Sequence, residues 1–219
     1  MSPSPPFTLS RCTTDDLAEL LDLQYACFPA SVRLMFMGCN TPAQPGELQR
    51  IRESYAELMR KDPHDIWIAV RDASTGRIIA GANWKVYMNG DADDRKAEKP
   101  PSWLEGEELA ASQRIIDRFE SLRRKAMPDP FIHLHICFTD DAYRRRGAGA
   151  MMMQWGCDLA DLLSLPGYIE ASEDGNHLYK TFGFHDHERT MGAEGIEGVT
   201  MKRDAKASPL REGGKAAPS

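Results

Sequence analysis

The residues with the clearest chemical potential lie in the segment YRRRGAGAMMMQW, residues 143–155. Arg144, Gly147 and Gly149 form the pattern Arg-x-x-Gly-x-Gly at the predicted start of a helix. Unpaired amides and the positive end of the helix dipole favour an anion at such a position, and glycine lets the backbone approach it closely. The segment therefore predicts a binding site for a phosphate or pyrophosphate group.

Two familiar phosphate-binding loops do not fit this segment. A Walker loop requires Gly-Lys-Ser or Gly-Lys-Thr after four intervening residues, and the chain has no such run. The dinucleotide fingerprint GxGxxG would place its third glycine at Met152. The arginines have a simpler alternative interpretation, because charged residues at a helix start are often only solvated.

Composition narrows the class of protein. The chain has 219 residues, 42% of them hydrophobic, and a net charge of −6. These values suit one packed domain and argue against a general nucleic-acid binder, which needs a broad basic field. The five cysteines form no CxxC pair, so neither a disulfide framework nor a zinc knuckle is expected, and we predict no metal.

Targeting signals are absent from the sequence as read. No apolar run reaches the roughly 18 residues of a membrane helix, and MSPSPPFTL lacks the apolar core of a signal peptide. We therefore predict a cytoplasmic protein that contacts no membrane, with a nuclear location as the alternative.

The elements that must position the Arg-Gly segment follow from hydrophobic periodicity. The spacing predicts strands at 7–12, 131–138 and 167–172, a hairpin over 65–71 and 77–88, and a further hairpin beyond Phe184. It predicts helices after 13–16, over 47–61, 106–127 and 176–182, and after the Arg-Gly segment, where Met151, Trp155, Leu159 and Leu162 form the apolar side. This order predicts an α/β fold with a mixed sheet.

At these residues the chain resembles the GNAT superfamily of acyl-CoA-dependent N-acetyltransferases. The family's loop has the pattern Gln/Arg-x-x-Gly-x-Gly/Ala after a strand, which IHLHICFTDDAYRRRGAG (132–149) resembles in the same register. YIEAS (168–172) and LYKTFGF (178–184) resemble its next strand and its Leu-Tyr-x-x-x-Gly-Phe ending. The arrangement is most similar to GNAT-type proteins of filamentous fungi. Two departures are the Asp140-Asp141 pair and Ser172, which stands where Asn is frequent.

The resemblance implies a GNAT fold over residues 7–204, with a helical insertion at about 89–130 and flexible termini at 1–6 and 205–219. It implies that the central strands splay apart and that acetyl-CoA binds between them. Cofactor-binding residues are then Cys137, Phe138 and Thr139 on the strand, Arg144, Arg145, Arg146, Gly147, Ala148, Gly149 and Ala150 in the loop, and Ser172 and Tyr179 beyond it.

The implied reaction is transfer of an acetyl group to a primary amine, small rather than a protein tail, by direct attack on the thioester. Tyr179 resembles the family's acid, with a packed core aromatic as the alternative. His133, His135 and Glu170 are the candidate bases, and a water chain could replace all three. Strand alternation places both histidines on one face, and His133 resembles the family's glutamate base by register.

Some alternatives remain open at this point. A non-catalytic acyl-CoA sensor would keep the loop without the chemistry, and Arg144 to Arg146 could instead contact nucleic acid. Trp103 and the 106–127 helix could cover the acceptor cleft or only support the core. Trp67 and Trp84 are predicted core residues, and a monomer and a homodimer are both compatible with the sequence.

Overall fold

The computed structural model describes residues 6–39, 42–88, 99–127, 130–193 and 196–206. Its strands are β1 (Phe7–Arg11), β2 (Asp65–Asp72), β3 (Ile78–Tyr87), β4 (Phe131–Thr139), β5 (Gly167–Ala171), β6 (His185–Ala193) and β7 (Ile196–Arg203). Its helices are α1 (Leu17–Cys27), α2 (Ala30–Met37), α3 (Glu47–Lys61), α4 (Gly106–Ala126), α5 (Ala148–Leu163) and α6 (Glu173–Thr181). Two short 3₁₀ turns occupy Thr14–Asp16 and Asp141–Tyr143.

The strands form one seven-stranded sheet in the order β1-β2-β3-β4-β5-β7-β6. The β4–β5 pair is parallel, and the other neighbours are antiparallel. The predicted mixed α/β sheet is therefore confirmed. Residues 89–98 of the predicted insertion and most of both predicted flexible termini lie outside the described residues.

Each face of the sheet carries its own hydrophobic cluster. On one face α5 packs on the middle strands, where Trp84, Ile132 and Met152 are buried. On the other face α1 and α3 cover the sheet, with Leu20, Ile51 and Trp67 in the core. Because both tryptophans are almost fully buried, the prediction that they are core residues agrees with the structure.

The buried side of α5 differs from the predicted one. Met152, Met153, Cys157 and Ala160 are buried, whereas the side chain of Leu162 is 77% exposed. Met151, Trp155 and Leu159 only flank the cluster. The helix turns this side to the sheet because Gly156 lacks a side chain, and an added Cβ there would lie 2.1 Å from the Trp84 ring. The packing of the Trp84 ring against Gly156 therefore decided which side of α5 is buried, and the spacing of apolar residues alone did not predict it.

Two helix boundaries also differ from the prediction. Helix α2 was not predicted, and it ends at Gly38, which adopts a left-handed conformation with φ 61°. Helix α6 begins at Glu173 rather than at Asn176, because the Ser172 side chain accepts a hydrogen bond from the Gly175 amide and caps the helix. In the described part of the chain no helix is long and apolar enough to cross a membrane.

Candidate functional site

Strands β4 and β5 part after a short paired stretch. They pair only at Ile132 with Gly167, His133 with Tyr168, and Leu134 with Ile169. Beyond this point β4 continues alongside β3 to Thr139, and β5 continues alongside β7 to Ala171. The predicted splay is therefore confirmed. The edge of β4 over residues 136–139 turns its backbone groups toward the gap, where they can pair with an extended ligand.

A β-bulge lies on β4 at the start of this gap. Trp84 of β3 faces Leu134 and Asn83 faces Ile136, which leaves His135 as the additional residue. A bulge re-aims the side chains that follow it. Accordingly Leu134 packs with the α5 cluster, whereas Ile136 packs with the cluster under α1 and α3.

The Arg-Gly loop closes one end of the gap. Arg145 and Gly147 have positive φ angles of 60° and 101°, and α5 begins at Ala148. The first hydrogen bond of the helix runs from the Met151 amide to the Gly147 carbonyl at 3.1 Å. The amides that precede Met151 in the helix have no intrahelical acceptor, so they can bind an anionic group.

The three arginines of the loop take different positions. Arg144 is paired with Asp141 at 2.9 Å, and Arg145 is exposed at the rim of the adjoining cavity. Arg146 instead lies over two aromatic rings, 4.9 Å from the centre of Tyr143 and 5.4 Å from that of Phe7. The structure thus brings Arg144 and Arg145 to the cavity and turns Arg146 toward the aromatic packing beside β1.

The two predicted glycines act in different ways. Gly147 has no atom within 4 Å of an added Cβ, so its positive φ is what favours glycine there. At Gly149 an added Cβ would lie 2.9 Å from the Leu178 side chain. Gly149 therefore allows α5 and α6 to pack closely, a role that the loop pattern alone did not indicate.

A single cavity of about 2130 Å³ joins the loop, the gap and the region below α4. At the loop end it is lined by residues 143–145 and 147–150 together with Ser172 and Tyr179. Along the gap it is lined by residues 134–139, which include Cys137, Phe138 and Thr139. Drug-sized ligands occupy roughly 300–1,000 Å³, so the cavity can hold two substrates at once.

Tyr179 lies on α6 at the inner end of the gap and is 8% exposed. An added Cβ at Gly175 would meet its hydroxyl oxygen at 2.9 Å, so glycine gives the ring its place against the helix backbone. Burial, followed by the adjacent Cys137 thiol, raises the pKa of Tyr179 well above its ordinary value. The phenol therefore remains protonated at neutral pH. Burial likewise raises the pKa of Cys137 to about 12.

The histidines and Glu170 form a connected group on the α4 side of the sheet. His133 is fully buried, and its Nε2 lies 2.5 Å from Glu170 Oε2. The His135 ring is centred 5.4 Å from that of His133, as expected for residues on one face. His135 and Glu170 line the cavity, whereas His133 lies behind them.

Arg123 completes this group and was missed by the sequence analysis. It projects from α4, is 5% exposed, and contacts Glu170 Oε1 through Nε at 3.2 Å. A signal was present, because Arg123 lies four residues after Phe119 and seven after Ile116 on the apolar stripe of the helix. A charged residue at that spacing is placed on the buried side.

Helix α4 and the segment before it wall the far end of the cavity. Ile116 and Phe119 of α4 face it, as do Trp103, Phe28 and Tyr55. The Trp103 indole N–H donates a 2.6 Å hydrogen bond to the Gly38 carbonyl, which ties this segment to the end of α2. We call this region, lined by Phe28, Tyr55, Trp103, Phe119, Arg123 and His135, the distal lobe. Among the residues that the structure describes, no three His, Cys, Asp or Glu side chains are placed to hold a metal ion.

Comparison with known proteins agrees with this geometry. Residues 109–205 match the profile of the acetyltransferase (GNAT) domain. The probable acyltransferase SID5 of Ajellomyces capsulatus is 26% identical over 101 residues, which are 46% of this chain and 69% of that protein.

Solved structures share the fold. A histone acetyltransferase HPA2 and related acetyltransferase from Corynebacterium glutamicum has a TM-score of 0.62 at 16% identity, over 94% of this chain and 99% of its own. The mosquito arylalkylamine N-acetyltransferase like 5b has a TM-score of 0.61 at 14% identity, over 90% and 99%.

The seven-stranded mixed sheet and the parted strands agree with the match of residues 109–205 to a GNAT acetyltransferase domain. In sequence the chain is similar to GNAT acyltransferases.

Proposed function

We propose that the chain transfers an acetyl group from acetyl-CoA to a small primary amine. The observation that carries this proposal is the joining of the gap between β4 and β5, the loop at 144–150 and the distal lobe in one cavity. We expect the loop to hold the diphosphate of the donor, the gap to hold its extended amide-bearing arm, and the distal lobe to hold the acceptor.

The residues of the loop fit the diphosphate of the donor. The amides of Ala148, Gly149 and Ala150 have no intrahelical acceptor, and the Arg144 and Arg145 side chains flank them. Backbone groups of Cys137, Phe138 and Thr139 at the open edge of β4 would pair with the amides of the pantetheine arm. The Ser172 hydroxyl oxygen accepts a hydrogen bond from the Gly175 amide, so its O–H can still donate to the bound donor from the wall of the cavity.

Tyr179 is proposed as the general acid. When the amine nitrogen bonds to the acetyl carbon, the carbon–sulfur bond breaks and the leaving thiolate takes a proton. A phenol whose pKa is raised well above its ordinary value keeps that proton available at neutral pH. Tyr179 lies beside Cys137 at the inner end of the gap, where the thioester would reach.

His135 is proposed as the general base, and Glu170 as the group that holds the acceptor ammonium. Both line the cavity. A carboxylate paired with a guanidinium is favoured in its ionised form, which suits attraction of a cation better than removal of its proton. An imidazole titrates near neutral pH and is better suited to that removal. His133 acts through Glu170, because it is fully buried.

The distal lobe favours a small acceptor with an apolar body. Phe28, Tyr55, Trp103 and Phe119 supply most of its wall, and aromatic walls bind apolar groups next to a charged amine. Helix α4 and Trp103 form one side of this lobe, and we propose that they make up the acceptor wall rather than only added core support.

The test is a thiol-release screen with acetyl-CoA and a panel of arylalkylamines, aliphatic diamines, amino acids and lysine peptides, with calorimetric titration of CoA. Turnover with at least one small amine and saturable CoA binding are the expected results. CoA binding without turnover on any amine would contradict the acetyl-transfer proposal. Release that exceeds hydrolysis only with lysine peptides would contradict the small acceptor.

A further inference from the structure

Three charged or polarisable side chains meet under α4, and only two of them have a part in the reaction proposed above. Arg123 is 5% exposed and His133 is fully buried, while the side chain of Glu170 is 14% exposed. The two carboxylate oxygens of Glu170 are divided between them: Oε1 contacts Arg123 at 3.2 Å, and Oε2 contacts His133 at 2.5 Å. The carboxylate is therefore held from two directions, from the helix and from the strand.

The requirement for a neutral interior determines the protonation states of Arg123, Glu170 and His133. A buried guanidinium cannot lose its proton in a protein, so it needs an anion beside it. Arg123 and an ionised Glu170 together carry no net charge. A neutral His133 that donates its Nε2–H to Glu170 Oε2 keeps the charge of these three groups at zero, whereas a protonated His133 would add a positive charge to the interior, which is costly.

Other ionisable groups surround His133 and Glu170. They include Lys85 and Tyr87 on β3, His135 on β4, Arg123 on α4, and Tyr168 on β5, which contacts both groups and lies opposite Lys202 of β7. Arg123 contacts the Glu170 carboxylate as an ion pair, with its Nε 3.2 Å from Oε1. The Lys202 ammonium donates to the Ala126 carbonyl at 2.8 Å, which directs its charge toward the end of α4.

We propose that Arg123 is a positioning residue for the acyl transfer: it holds the Glu170 carboxylate ionised and oriented toward the distal lobe, and it keeps His133 neutral behind it. The inference rests on the proposed function. It also gives α4 a second part in the reaction, because the helix then orients a group on β5 as well as walling the acceptor lobe. Loss of Arg123 would leave the carboxylate to pair with a protonated His133 and to turn away from the acceptor.

The activity test compares Arg123→Met, Arg123→Lys and Arg118→Met. Arg118 lies on the same helix but is exposed and outside the cavity, so its variant is a matched control for loss of an arginine from α4. Arg123→Met is expected to lower kcat/KM for the amine by roughly 10–100-fold, the scale of a misplaced reacting group. CoA affinity and the kinetics of Arg118→Met should be unchanged. Arg123→Lys, which restores the charge, should recover part of the loss.

A second measurement needs no turnover. Nitrogen-15 NMR of the imidazole of His133 in the full chain should show, near pH 7, a neutral ring protonated on Nε2 in the wild type and in Arg118→Met, and a doubly protonated ring in Arg123→Met. A doubly protonated ring in the wild type would overturn the proposal, even if Arg123→Met fails to fold. Equal kcat/KM in Arg123→Met and wild type would also overturn it. If no amine is a substrate, the proposed function fails, and the ring's protonation state still decides whether Arg123 sets the charge of this group.

Discussion

Replacement of Tyr179 by Phe tests the proposed chemistry most directly. The change removes one hydroxyl and retains the ring that packs against Gly175, so the shape of the gap is preserved. The hydroxyl lies beside the Cys137 thiol, a weak hydrogen-bonding group. The structural cost should therefore stay near or below about 1 kcal/mol, the usual contribution of one hydrogen bond.

The catalytic cost should be much larger than this. A positioned acid contributes roughly 10²–10⁴-fold in rate, which corresponds to about 3–5 kcal/mol of barrier. We expect kcat to fall by that factor, while the dissociation constant of CoA changes by less than about threefold. The effect on kcat is expected to be larger than the effect on CoA affinity, because the hydroxyl would donate to the sulfur only as the carbon–sulfur bond breaks.

The assay is steady-state thiol release with calorimetric titration of CoA, and Tyr25→Phe is the control. The Tyr25 hydroxyl accepts a hydrogen bond from the Ala43 amide at 2.9 Å and is not part of the cavity lining, so its loss should leave kcat unchanged. A fall in kcat of less than threefold in Tyr179→Phe would refute the acid and return Tyr179 to the core.

The pH dependence follows from the direction of the shift. An acid must carry its proton to act, and the pKa of Tyr179 is raised well above the ordinary tyrosine value. Loss of that proton would lower kcat only above the raised value. We therefore expect no basic limb from Tyr179 in the kcat profile below about pH 10, the unperturbed tyrosine value. A basic limb between pH 7 and 9 that disappears in Tyr179→Phe would contradict the burial argument.

The remaining predictions concern packing and backbone. Gly147→Ala, at φ 101°, should lower the free energy of unfolding by about 1–2 kcal/mol and weaken CoA binding. Gly76→Ala, at φ 73° in the β2–β3 turn, is the control and should lower stability as much without changing CoA affinity. Equal CoA affinity in both variants would contradict the loop assignment. Gly156→Ala should destabilise the chain by about 1–3 kcal/mol, because its Cβ would lie 2.1 Å from Trp84; an unchanged melting temperature would contradict this packing. Trp103→Phe removes the hydrogen bond to Gly38 and should lower the free energy of unfolding by about 1 kcal/mol. It should also raise KM for the amine but not for acetyl-CoA. An unchanged KM for the amine would contradict the assignment of Trp103 to the acceptor wall.

Local patterns in the sequence were sufficient to predict most helices and strands and the position of the Arg-Gly loop. Alternating or continuous apolar runs predicted β1 to β5 to within a few residues and a further hairpin beyond Phe184, and the Arg-x-x-Gly-x-Gly pattern marked the start of α5. These features depend on residues close together in the chain. The sequence also indicated that β4 and β5 are neighbours, through the resemblance of its motifs to those of one family.

Contacts between distant residues could not be read in this way. The bulge at His135 depends on the register between β3 and β4, and the burial of His133 depends on how α4 crosses the sheet. Arg123 meets Glu170 across 47 positions of sequence, and no local pattern specifies that pairing.

By itself, then, the sequence predicted the order of most elements, the Arg-Gly loop at the start of α5 and the candidate acid and bases, whereas it predicted neither α2 nor Arg123. The tertiary structure decided which of these residues reach the cavity: His135 and Glu170 do, His133 lies behind them, and Arg146 turns to Tyr143. The physical reason is that a residue's type and local conformation follow from its neighbours in the chain, whereas its burial and its charged partners follow from packing across the sheet.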